Sequence, residues 1–418
     1  MVRLTALVCL FAVLLTLGCN GARETDEVAF IITVGIDAAP GGQLNVTYRL
    51  ARPSAVGGET GGGGAGGKDE ATSGIITVTA PSLAVARDLL NSEVARSPSL
   101  AHVKAIVLGE ELARRGIGDI LGPLLRFREF RGSMFVFVAD NTTAERLIRA
   151  NRPVIEKLPA RWVEAMVASA NESGYFMRTF LHDFYMPLKA GSDSPAAVLV
   201  GLAPKSGEAR PSAGQATGEK TDEFLAGGIP VRGGDPVVMI GTALFRGDRM
   251  VGKLTSEETR MLAILTNEFK RGFLTVQDPL EPTKGINIHL RPGRDTKVSV
   301  SLADRRPVID VDVMLEGEVT AIGSGINYEA PAYNQTLEDR VSAVVRQDME
   351  KTIRYMQQVG SDPANFGKYV RPLFNTYAEY RKFDFESKFP TAEVRVKVKT
   401  QLRRTGLMRM TAPIRATE

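Results

Sequence analysis

Apolar and polar residues alternate in some stretches of the chain and recur at helical spacing in others, and the change of period marks out its elements. Residues 27–37 (EVAFIITVGID) and 43–52 (QLNVTYRLAR) are rich in β-branched and aliphatic positions, and Pro40-Gly41-Gly42 between them predicts a hairpin. Residues 75–79 predict another strand. Ser82 then precedes Leu83, Ala86, Leu89, Leu90 and Val94 on one helical face, which makes it an expected N-cap. A strand is expected to start at His102 and to turn helical near Glu110. A short helix over 117–126 and a strand over 133–139 follow. Thr142 and Glu145 have capping-box spacing and open a helix with Ala144, Leu147 and Ile148. This order suggests an α/β region ending near residue 150.

The second half changes character. Residues 151–190 read as mostly helical, with Trp162, Met166 and Val167 as core. A strand over 237–245 meets a Gly247-Asp248 turn into 249–252, and Thr255 with Glu258 forms another capping box, for a helix through Leu262 and Leu265. Segments 286–290, 298–302, 308–313 and 394–402 alternate apolar with polar, the mark of half-buried strands. Between the last two, Leu337, Val341, Val344, Val345, Met349, Ile353 and Met356 form one long helical stripe. The expected fold class is mixed α/β (α+β) and multi-domain. Its sheets are packed with helices, and the C-terminal domain sets a long helix on a mostly antiparallel sheet.

The N-terminus adds a location. Arg3 precedes a run over 4–17 that is apolar apart from Thr5 and Thr16. That is shorter than the ~20 residues of a spanning helix and fits a secretory signal. The run closes on Leu17-Gly18-Cys19, which resembles a lipobox: small Gly18 admits the peptidase, and the Cys19 thiol takes the diacylglycerol. The chain has two cysteines. Cleavage would remove Cys9, so Cys19 is the expected lipidation site and has no disulfide partner. Residues 1–18 are thus expected as lipoprotein signal peptide and 19–200 as an N-terminal domain region with a flexible glycine-rich loop at 57–74. A linker-like stretch at 201–235, a C-terminal domain at 236–405 and a tail at 406–418 complete the division.

Candidate chemistry is sparse. The formal charge of +4, with lysine and arginine scattered, does not indicate nucleic acid. His102, His182 and His289 are far apart and none belongs to a zinc-type pair. His182-Asp183 reads as solvated, and Asp310 with Asp312 as the solvent face of a strand. Gly62 to Lys68 has phosphate-loop spacing, but Asp69 stands where a hydroxyl should hold magnesium. No enzyme, cofactor or metal is expected.

Four stretches stand out as motifs. Cys19 is followed by VGID (34–37) and NVTYRLARP (45–53). HVKAIVLGEELARRGI (102–117) leads to LLRFREFR (124–131). GTALFRGDRMVGKLTSEETRML spans 241–262, and DPANFGKYVRP spans 362–372. In this order they resemble the Ger(x)C family, the lipoprotein C subunit of spore germinant receptors. Asn20 stands where the family often has tryptophan, and Phe383 and Phe385 stand where it has an aromatic near the last strand. The resemblance implies a non-catalytic protein anchored by diacylglycerol to the outer face of the spore inner membrane. It also implies two membrane-embedded partners, a larger spore-specific subunit and a transporter-like one, supporting nutrient-triggered germination. The motifs read as turns, caps and packing positions. The rival expectation is a solute-binding lipoprotein that delivers a small nutrient to a membrane transporter.

Overall fold

The computed structural model describes residues 27–51, 73–156, 159–190, 194–204, 223–229, 231 and 233–404. Cys9, Cys19, most of the glycine-rich loop, the phosphate-loop lookalike and most of the linker-like stretch lie outside the described residues.

The first hairpin forms as expected. β1 (Val28–Ala38) pairs antiparallel with β2 (Leu44–Ala51), and Gly41 and Gly42 take positive φ in the turn. β3 (Ser73–Ala80) extends this edge. Ser82 caps α1 (Leu83–Glu93) by accepting the Val85 amide, and Ala86 and Leu90 are buried. Leu89, expected on that face, is 44% exposed. β4 (Ser97–Ser99) pairs with the start of β1. β5 (Ala105–Leu108) begins three residues after His102, which sits in a turn. Then come α2 (Glu110–Arg115), α3 (Gly118–Arg126), β6 (Phe135–Ala139) and α4 (Ala144–Ala150). α5 (Pro159–Ala168), α6 (Leu181–Ala190) and β7 (Ala196–Leu202) follow, the last an apolar run not anticipated from periodicity.

The sheet does not end near residue 150. β8 (Val237–Arg246) and β9 (Arg249–Leu254) continue it in the order β3-β2-β1-β5-β6-β7-β8-β9, with β4 beside β1. β1, β5, β6 and β7 run parallel, so alternate side chains feed two faces. Ile106, Leu108, Val136 and Val138 pack under α1, α2, α3 and α6; Ala105, Val107, Phe135 and Phe137 pack under α4 and α5.

The Thr255–Glu258 capping box opens α7 (Ser256–Leu265) as expected. β10 (Gly272–Gln277), β11 (Gly285–Pro292), β12 (Lys297–Ala303) and β13 (Arg306–Ile322) build the second sheet. β11 and β12 share one flank of β13, and β14 (Glu393–Arg404) runs parallel along the other. α8 (Pro331–Val359) carries the long stripe, with Leu337, Val341, Val345, Met349, Ile353 and Met356 buried. Pro331 starts this helix and Gly360, at φ 66, ends it. The short helices α9 (Gly367–Val370), α10 (Tyr377–Phe383) and α11 (Phe385–Lys388) lead from it to β14. Asp310 and Asp312 lie on the outer face, and Asp312 pairs with Arg294 at 2.8 Å.

Candidate functional site at the junction of the two sheets

The motif segments meet where the ends of β5 and β6 face β9. Asp37 ends the VGID strand, and its carboxylate accepts the Ala144 and Glu145 amides at 2.8 and 3.0 Å. It thereby satisfies the free N–H groups at the start of α4. The expected Thr142–Glu145 box does not form. Thr143 is the cap, accepting the Arg146 amide, and the Thr142 hydroxyl is buried without a partner among the described residues. Burial raises the Asp37 pKa above the usual carboxylate value, and the two amides offset this only in part. Gly109 passes directly over Asp37: a Cβ there would lie 2.2 Å from Oδ1. This close approach is the physical reason for the glycine in LGEE.

Lys253, from VGKL, joins three elements. Its ammonium lies 2.8 Å from Glu110 and 2.5 Å from Asp140, whose side chain is fully buried. Glu110 also accepts the Asn141 amide at 3.0 Å and pairs with Arg114 at 2.9 Å. Partial burial pushes the Glu110 carboxyl up, but Lys253, the Asn141 amide and Arg114 outweigh it and hold it below its usual range. The Lys253 backbone N–H donates to the Tyr355 hydroxyl of α8 at 3.3 Å. Gly252 leaves room for that hydroxyl, since a Cβ would come within 2.8 Å of it.

The other motif residues make further joints in the fold. In the Gly247-Asp248 turn, the Asp248 carboxylate accepts the Gly118 amide at 3.0 Å and its carbonyl accepts the Ile117 amide at 3.1 Å. The turn between β8 and β9 therefore holds the start of α3, the end of the ARRGI motif. Arg260, buried in α7, pairs with Glu257 at 2.8 Å, donates Nε–H to the Ser173 carbonyl at 3.0 Å and lies over the Tyr175 ring. From DPANFGK, the Asp362 amide donates to the Ser194 hydroxyl at 2.9 Å. The neighbouring Ser361 hydroxyl donates to the Phe245 carbonyl of β8 at 2.7 Å. Glu129, from LLRFREFR, accepts the Leu100 amide at 2.6 Å and pairs with Arg87.

The histidines are not brought together. His102 packs edge-to-face with Phe30, His182 is exposed on the first turn of α6 beside Asp183, and His289 stacks on Phe273 of β10. Among the described residues, no group of three His, Cys, Asp or Glu is placed to hold a metal, and no helix is long and apolar enough to cross a membrane. A cavity of about 30 Å³ lies beneath α4 and α5, bounded by Arg49, Thr33, Phe137, Trp162 and Met239. Buried Arg49 donates to the Ile148 and Asn151 carbonyls and to the Asn151 side chain; burial lowers its pKa to about 10, which leaves it charged at neutral pH.

Sequence reasoning anticipated the turns and the second capping box. It did not find the Asp37 cap, Asp140, Tyr355 or the Asp248 grip on α3. Of these only Asp248 carried a local signal, because an aspartate beside Gly247 in a turn favours bonds to backbone amides. Nothing local pointed to Asp140 or Tyr355.

The chain is similar to spore germination proteins along nearly all its length. The family model described as "Spore germination protein N-terminal domain" matches residues 21–202, and that described as "Spore germination B3/ GerAC like, C-terminal" matches residues 240–406. "Spore germination protein KC" of Bacillus subtilis (strain 168) is 24% identical over 96% of each chain. "Spore germination protein GerQC" of Bacillus cereus is 20% identical over 94% of this chain and 96% of its own. The crystal structure of the GerBC protein shares the fold, with a TM-score of 0.50 and 16% identity over 89% of this chain and 97% of that one. With both halves matched in order and the motif segments forming the joints of one fold, the chain belongs to the spore germination GerAC/GerKC/GerBC family, the C subunits of germinant receptors.

Proposed function

We propose that the protein is the lipid-anchored, non-catalytic C subunit of a spore germinant receptor, tethered through Cys19 to the outer face of the spore inner membrane. Its partners in this reading are a larger spore-specific membrane subunit and a transporter-like one. The observation that carries the reading is the family match over both halves, in order, behind an N-terminal lipobox. The junction supports a mechanical role: its charged groups are spent on helix starts, turns and one ammonium rather than left facing an open cleft. A diacylglycerol anchor supplies two acyl chains, which stable membrane attachment needs. Confinement to the membrane plane then raises the effective concentration of the subunit at its partners.

The cavity beneath α4 and α5 has no room for a nutrient. Its ~30 Å³ accommodates one or two water molecules, whereas small-molecule sites run to roughly 300–1,000 Å³. Two measurements test the proposal. Mass spectrometry of the mature N-terminal peptide should show diacylglycerol on Cys19, and an unmodified Cys19 would remove the tether. Calorimetric titration of the mature chain with amino acids and sugars should show no heat of binding; saturable micromolar binding would turn the assignment to a solute receptor.

A further inference from the structure

β12 is an edge of the second sheet, bonded among the described residues to β13 alone. Asp304 and Arg305 join the two strands, both at positive φ (50 and 63), which makes a two-residue turn of the mirrored type. Such a turn closes on a hydrogen-bonded pair, here Ala303 with Arg306, and bonded pairs recur at every second residue. Ser301, Ser299 and Lys297 therefore give their backbone groups to β13. Pro307, which has no N–H to donate, stands opposite Leu302, a pair outside that set. The N–H and C=O groups of Val298, Val300 and Leu302 point away from β13, into the free flank.

Asn267 marks where this flank begins. At φ 64, just after α7, its side chain accepts the Thr296 amide at 2.7 Å and donates to the Thr296 carbonyl at 3.5 Å. One side-chain amide thus takes the place of a neighbouring strand at Thr296 and blocks any strand from running past it. Among the described residues, no hydrogen bond from outside the sheet reaches the backbone of Val298, Val300 or Leu302. No residue from Lys297 to Ala303 is buried, and Leu302 is 38% exposed. Natural edges are guarded by charge, proline or a bulge. Residues 298–303 (VSVSLA) carry neither charge nor proline, and their pairing with β13 has no register shift.

A second copy of the same strand fits this edge. Laid antiparallel about Val300, two β12 strands set Val300 against Val300 and Val298 against Leu302, each pair exchanging N–H and C=O. The apolar side chains then share the inner face, and Ser299 meets Ser301 on the outer one. The ladder ends with Lys297 opposite Ala303, so the copy turns away where Asn267 stands. Sliding the pairing two residues one way drives Leu302 of the copy onto Asn267, and sliding it the other way puts the turn against Val298. Opposite charges meet at both ends, Lys297 beside Asp304 of the copy and Asp295 beside Arg305, all exposed.

We propose that β12 is a self-pairing edge through which two copies of this chain join their second sheets into one, antiparallel about Val300.

The test is sedimentation velocity of the mature chain, with Cys19→Ala so that neither lipid nor disulfide couples the copies. One strand pair is an interface at the small end of the range, so a dimer half-formed at roughly 10–100 µM is expected. S299K/S301K changes only exposed side chains and sets lysine against lysine, which should weaken the dimer roughly tenfold. S299E/S301K sets glutamate against lysine at the same places and should restore it. In hydrogen exchange, the Val300 amide should gain protection as concentration rises, while the Ser299 amide is protected throughout. A chain still monomeric at about 200 µM overturns the proposal. So does a dimer that S299K/S301K leaves intact, which lies on another surface. A dimer lost in S299K/S301K and not regained in S299E/S301K overturns it too, because Ser299 then does not face Ser301.

Discussion

The Asp140 carboxylate, fully buried at the end of β6, lies 2.5 Å from the ammonium of Lys253 on β9. The two residues are 113 apart in sequence and their strands are three places apart in the sheet. The bond therefore closes a ring through β6, β7, β8 and β9. It also reaches Glu110 of α2, and its lysine backbone reaches Tyr355 of α8. One residue thus ties the first sheet to α8, which packs on the second.

Lys253→Met should destabilise the protein by roughly 3 kcal/mol, because it leaves Asp140 buried without its cation. Urea denaturation of the mature chain checks this, and Asp140→Asn in the same background should recover part of the loss. A cost below about 0.5 kcal/mol, the range of ordinary surface substitutions, would show that the pair is not the closure described.

Gly109→Ala should cost about 2 kcal/mol by overpacking against the Asp37 carboxylate. Asp37→Ala alone should cost about 1 kcal/mol as the loss of a helix cap. The double variant should cost less than the sum, since removing the carboxylate also removes the clash. Thermal denaturation of all four proteins gives the cycle, and strict additivity would refute the close approach.

Asp278 sets a pH dependence. Burial pushes its carboxyl up, but Ser324, Tyr328 and the Leu280 and Glu281 amides outweigh this and hold it below the usual carboxylate range. A depressed folded-state pKa stabilises the fold above the unfolded value of about 3.9 and is lost as pH falls through the folded value. The stability advantage of the wild type over Asp278→Asn should therefore be constant near neutrality and shrink below about pH 4. Melting curves from pH 6 to 2.5 check this, and an advantage that grows on acidification would reverse the assigned sign.

On the proposed function, Cys19→Ala should leave the two sheets folded and impair germination. The measurement is the germination rate of spores that carry the variant at normal receptor levels. Unimpaired germination would make the tether dispensable and reduce the lipobox to a targeting signal.

How far the sequence reaches depends on the range of the forces involved. Ser82, and Thr255 with Glu258, cap their helices as local spacing predicts, because the bonds run within three residues. Thr142 with Glu145 has the same spacing, yet no box forms. Asp37, 107 residues earlier, supplies the acceptor for Ala144, and a capping motif cannot show a competitor from another strand. β7 escaped notice for a related reason: a strand buried on both faces has no alternation, and its continuous apolar run also suits a buried helix.

By itself, the sequence determined the hairpin at the start, the alternating strands of the second sheet, the stripe of α8 and the family. Each follows from side-chain period or local residue chemistry, which a linear pattern records. Only the tertiary structure decided that β8 and β9 complete the first sheet, that Lys253 meets Asp140, and that Gln357, Ser342 and Glu338 of α8 bond the flank of β14. The sheet order and the buried pair depend on which distant backbones lie side by side. That choice is made by the burial of whole faces and the pairing of buried polar groups, neither of which has a period along the chain.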